Sequence, residues 1–139
     1  MRSILPLVAV VSLAACDVSD PREVLSPGEI VVDYDAASDT RLNVPDSSEA
    51  GGALAVSLWT AGNACVRAGR TDVGVSGDTV TIEPLDWVRT GGPCNDILVL
   101  IDHSADVQLP PADSAWVVIR GREFPSGDPV EIEQVVVAR

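Results

Sequence analysis

The chain contains no lysine, and its nine cationic side chains, all arginine, face 21 aspartates and glutamates, for a formal net charge of −12. That balance argues against nucleic acid as a partner, because neutralising phosphates requires a basic face that scattered arginines do not supply. Aromatic residues are also scarce, with three Trp, one Tyr and one Phe, and there is a single Met. A core must therefore come from Val, Ile, Leu and Ala. One histidine, His103, and three cysteines make a poor ligand set for a metal site, so none is expected. No apolar run reaches the roughly 20 residues a helix needs to cross a bilayer. Disorder is excluded from the other side, since 46% of the 139 residues are hydrophobic. What is left is one domain with room for a real core.

The amino terminus carries the most specific signal. Arg2 precedes an apolar run from Ile4 to Leu13, ILPLVAVVSL, which suits the hydrophobic region of an export signal. Leu13-Ala14-Ala15-Cys16 then resembles the lipobox of bacterial lipoproteins. The resemblance implies that residues 1–15 are a signal peptide and that Cys16 receives a diacylglyceryl thioether and, as the new amino terminus, an acyl chain such as palmitate. Acyl chains contribute roughly 0.8 kcal/mol per buried CH2, so two or three of them hold a domain on a membrane stably. The implied address is the cell envelope, on the periplasmic or outer face of a bacterial membrane. By resemblance to enterobacterial lipoproteins, Asp17 favours the inner membrane. Cleavage removes Arg2 and no acid, moving the side-chain charge from −12 to −13.

Two cysteines remain, Cys65 and Cys94, an even pair in an exported chain. They are expected to form a disulfide, closing a loop whose chain-entropy contribution is roughly 3 to 4 kcal/mol. Neither belongs to a CxxC pair, which argues against redox catalysis.

Residues 16–28 read as the lipidated terminus and a polar tether with two prolines, and residues 29–139 as the folded domain. Strand patterns dominate the domain. They are placed at Glu29–Tyr34, Ala53–Trp59, Ile97–Ile101, Ala115–Arg120 and Val130–Val137, with Val107 and Leu109 following an irregular Asp102-His103-Ser104. The clearest hairpin has Thr71, Val73 and Val75 leading through Ser76-Gly77-Asp78 into Val80 and Ile82. Asn43–Gly52 and Arg89–Asn95 are turn-rich loops. The expected fold class is all-β: an antiparallel, immunoglobulin-like sandwich of two packed sheets and seven or eight strands, with a small barrel as the alternative. Counting by twos from Val73 puts Cys65 on the inward face unless a bulge intervenes. The stretch from Cys65 through TDVGVSG, Cys94, VQLP and VVIRG also resembles small exported domains of GC-rich bacteria, a likeness that carries structure and no activity.

His103 has Asp102 and Ser104 beside it, but neighbours on a strand face opposite sides, so a hydrogen-bonded or exposed strand-end histidine is the expectation. Asp33, Asp35 and Asp39 are weak candidate calcium ligands, since the loop lacks the EF-hand spacing, and the favoured reading is a solvated acidic surface. Glu131 and Glu133 share a strand face as a solvent-facing row. Trp87 and Trp116 are the candidate ligand contacts, since an exposed indole marks a contact site. The functional expectation is a lipid-anchored, non-enzymatic binding or accessory module without a cofactor. Its partners would be the membrane, through the lipid, and an envelope protein or a glycan. A protease-inhibitor-like domain using loops Asn43–Gly52 and Arg89–Asn95, and a carboxylate-dependent hydrolase, are the alternatives.

Overall fold

A computed structural model describes residues 22–32 and 42–139. The export signal, Cys16, Asp17 and the calcium candidates Asp33, Asp35 and Asp39 lie outside the described residues. Within them, 69% of residues are in strands and none in a helix. The elements are β1 (Arg22–Pro27), β2 (Glu29–Ile30), β3 (Leu42–Asn43), β4 (Ser47–Ser48), β5 (Ala53–Gly62), β6 (Val66–Ser76), β7 (Thr79–Thr90), β8 (Val99–Gln108), β9 (Ser114–Glu123) and β10 (Pro129–Ala138).

All ten strands join one hydrogen-bonded sheet, curled into a half-barrel. Three long antiparallel ladders form its body: β6 on β7, β5 on β8 and β9 on β10. Short and parallel pairings sew them together. One edge of β7 is shared, with β9 parallel to its first residues and β1 antiparallel to its last six. β2 lies between β9 and β5, and so joins the two faces that a sandwich would keep apart. The curl brings β6 and β8 together without a backbone ladder, and Thr71 of β6 reaches His103 of β8 at 3.2 Å.

Alternation explains which side chains fill the concave side. Leu54, Val56 and Leu58 of β5, Val80 and Ile82 of β7, and Val117 and Ile119 of β9 are every second residue, and all are buried in one cluster with Ile30, Val107 and Val136. Each contributes about 1.5–3 kcal/mol relative to an exposed side chain. The hairpin turn occurs where expected, with Gly77 at φ 62°, a backbone conformation that costs glycine nothing. The cluster lies toward this hairpin end. The opposite end holds Arg22, Thr90 and the 91–98 loop.

Ten strands stand where seven or eight were expected, and the expected loop Asn43–Gly52 holds the end of β3 and all of β4. Four further expectations change. Arg22–Pro27, read as tether, forms β1, because its backbone completes the edge that β9 leaves open along β7. The domain therefore begins by Arg22. Of the expected strand Glu29–Tyr34, the described residues show a two-residue ladder at Glu29–Ile30, after which the Val31 N–H donates to the Trp59 carbonyl; Asp33 and Tyr34 lie outside the described residues. β7 continues through Pro84 to Thr90, so Arg89 and Thr90 are strand rather than loop. The Pro84 carbonyl accepts from Gly28 N–H, and a strand residue's N–H and C=O point to the same edge. Its missing donor thus falls where the partner changes from β9 to β1, a position where proline is tolerated. Finally, β8 starts at Val99 and runs without interruption through Asp102-His103-Ser104, leaving Ile97 and Leu98 exposed in the loop.

Candidate functional site

At the end opposite the hairpin, β1, β6 and β7 run past the ends of β5 and β9. The overhang leaves a cleft of about 590 Å³, walled by Pro27, Val66, Val88, Leu98 and Phe124 and edged by Arg89 and Arg122. The disulfide Cys65–Cys94, with Cα atoms 5.6 Å apart, fastens the 91–98 loop over one side. It pins a loop to the start of β6 rather than tying two faces together. A bulge between Ala68 and Arg70 breaks the count by twos that linked Cys65 to Val73.

The floor of the cleft is polar. Asp86, the one cleft residue among them, accepts from the Thr60 hydroxyl at 2.7 Å on one oxygen and meets His103 Nε2 at 2.9 Å on the other. His103 Nδ1 lies 3.2 Å from the Thr71 hydroxyl. Four side chains from β5, β6, β7 and β8 therefore form one chain of hydrogen bonds, and every side-chain nitrogen and carboxylate oxygen in it has a partner. His103 is only 4% exposed and mid-strand, against the expected strand-end position. Its sequence neighbours Asp102 and Ser104 do point away. The groups that converge on it come from positions 17 and 32 residues earlier, which no local pattern reveals. Gly28 is required for this arrangement: a Cβ there would stand 2.5 Å from Thr60 Cγ2 and 2.8 Å from Asp86 Oδ2.

Hydroxyl, imidazole and carboxylate in this order are the elements of a proton relay, but catalysis also needs a space for substrate beside the hydroxyl. Thr71 and His103 do not line the cleft. The network forms a polar belt between the apolar cluster and the cleft, buried at Thr60, Asp86 and His103 and half-buried at Thr71.

Above the belt, Trp87 is covered by Arg67, whose guanidinium carbon is 5.5 Å from the ring centroid. Arg67 also grips Glu23 at 2.7 Å, and that hydrogen bond holds the Glu23 carboxyl below its usual range while raising Arg67. Trp87 is thus occupied within the protein. Trp116 is not covered in this way: it is 44% exposed on the outer face of β9, near the hairpin end. Beside it Val135 and Val137 of β10 are also exposed, and a shallow depression runs past it over Asp78, Thr79, Arg120, Glu131 and Glu133. Glu131 is held by Arg120 at 2.6 Å, so the Glu131–Glu133 row is partly neutralised. Among the described residues no group of three or more His, Cys, Asp or Glu is arranged to hold a metal ion.

No family model matches the chain, and no curated protein or solved structure matches it either.

Proposed function

We propose that this protein is a lipid-anchored, non-enzymatic binding module of the bacterial cell envelope that offers its Trp116 face to an envelope protein. The anchor rests on the LAAC sequence ending at Cys16. A disulfide between the remaining cysteines agrees with export to an oxidising compartment. The observation that carries the binding role is the exposed strip of Trp116, Val135 and Val137. An indole extended by two valines on a sheet face is the kind of surface protein interfaces bury, whereas sugar recognition relies more on the isolated ring and its polar neighbours. The accompanying fold reading is an immunoglobulin-like sandwich. Support for it comes from the alternating inward side chains of β5 and β8 and of β7 and β9, which meet in one apolar cluster as the inner faces of a sandwich do.

The test is photo-crosslinking in intact cells from a reactive residue at Thr79 or Glu133, with and without Trp116→Ala. A buried indole anchor is commonly worth 2 kcal/mol or more, so the variant should cut a specific protein crosslink by at least about tenfold. A crosslink of unchanged strength would remove Trp116 from the interface. A labelled polysaccharide in place of a protein would transfer the site to glycan recognition.

A further inference from the structure

Three large apolar side chains at the cleft end stand in water: Ile97 at 60% exposure, Val24 at 50% and Leu98 at 44%. They belong to one surface. Val24 pairs with Val88, Val88 pairs with Val66, and Val88 and Val66 share the cleft wall with Leu98. A backbone bond from Ala64 N–H to the Asn95 carbonyl holds the loop against the same edge, as does the disulfide. These residues are therefore presented on a braced platform. The charge around them also differs from the rest of the molecule. Arg22, Arg67, Arg89 and Arg122 stand against Glu23, Glu29, Asp86 and Asp96, so this end is near neutral on a chain of net charge −12.

We infer that this end is a membrane-docking face, with Ile97, Leu98 and Val24 seated in the headgroup region of the bilayer that holds the lipid. The inference rests on the lipid-anchor reading of Cys16. Asp17–Pro21 are the only residues between Cys16 and the first residue of β1, and an extended chain advances at most about 3.6 Å per residue, so Arg22 stays within roughly 25 Å of the anchoring sulfur. β1 starts at the cleft end, where Arg22 pairs with Thr90. The surface closest to the bilayer is therefore the one bearing Ile97, Val24 and Leu98. An anionic leaflet repels the acidic remainder of the body and repels this end least. Trp116 is set at the far end of β7, whose 12 residues at about 3.3 Å each span roughly 36 Å, and so it faces away from the membrane.

The experiment uses the full acylated protein in vesicles of phosphatidylethanolamine and phosphatidylglycerol carrying bromine on the acyl chains near the headgroups. An Ile97→Trp variant should add a blue-shifted emission component that the bromines quench, while the emission of the unsubstituted protein is far less affected. Ile97→Glu with Leu98→Glu, both at exposed positions, should leave vesicle flotation intact and expose the 91–98 loop to protease on the vesicle surface. Co-flotation with an added emission that is solvent-like and unquenched overturns the docking face and leaves the anchor standing. Failure of the wild-type protein to take up palmitate, or to float, overturns the anchor and the docking face with it.

Discussion

Toward the hairpin end, the curl closes on Leu54, Val56, Val80, Val107 and Val117, all apolar and all drawn from alternating positions. Toward the cleft end, the same strands enclose Thr60, Asp86 and His103, and beyond them an open cleft held by a disulfide. One half is held by the removal of hydrocarbon from water, which is non-directional and tolerant of shape. The other depends on hydrogen bonds that must all be made together, because a buried polar group left alone costs about 1–3 kcal/mol. The difference shows how a short, aromatic-poor chain builds two ends with separate duties. A dry end stabilises the fold, and a polar, cross-linked end leaves space at the surface.

The contrast is most directly broken at Asp86. Asp86→Ala leaves His103 Nε2 and the Thr60 hydroxyl buried without acceptors, and should cost about 3 to 5 kcal/mol in urea unfolding, whereas Asp86→Asn, which keeps the shape and an acceptor, should cost less. A loss below about 1 kcal/mol for the alanine variant would mean that the polar belt does not hold its half of the fold.

Replacing both Cys65 and Cys94 with serine comes next, with an expected cost of about 3 kcal/mol. Hydrogen exchange should show where the cost falls. Amides in the 91–98 loop and at Cys65–Val66 should lose protection, while those of Val80, Ile82 and Val117 open only with the whole domain. Equal loss in both places would merge the two halves into one cooperative unit.

The smallest effect is expected from Glu23→Gln. The hydrogen bond from Arg67 lowers the Glu23 pKa in the folded protein, so the pair stabilises above the ordinary carboxylate range and its contribution is lost as pH falls through the folded value. The variant should have a slightly lower urea midpoint than the parent at neutral pH, and the two should converge in acid. A constant gap would assign the effect to packing on Trp87 instead.

The apolar end was largely legible from sequence, because a period of two is a local property of Thr71–Glu83 and Ala53–Trp59. The hairpin, its turn and the inward faces of β5 and β9 follow from it directly. The polar end was not legible. The continuation of β7 through Pro84 to Thr90 has no local signal, because the change of partner that makes room for the proline depends on β1 and β9, distant in sequence. His103 looked irregular between Asp102 and Ser104, although its partners, Asp86 and Thr71, arrive from two other strands. Arg22–Pro27 carried the composition of a linker, and only an open edge on β7 makes it a strand. The Cys65–Cys94 pairing was readable by elimination, but its placement was not, since the bulge beside Gly69 resets the parity. Of the two candidate tryptophans, only geometry separates Trp87, under Arg67, from Trp116.

The register of β1 on β7 bears on how this domain transmits force. Six residue pairs from Arg22↔Thr90 to Pro27↔Leu85 lie along the strand axis, and the bonds of an antiparallel ladder run perpendicular to that axis. A pull applied between Arg22 and the hairpin end loads those rungs in shear, all at once, instead of peeling them one after another. Mechanical tension between a fixed foot and a cargo gripped at the opposite tip would thus be carried by the whole width of the seam.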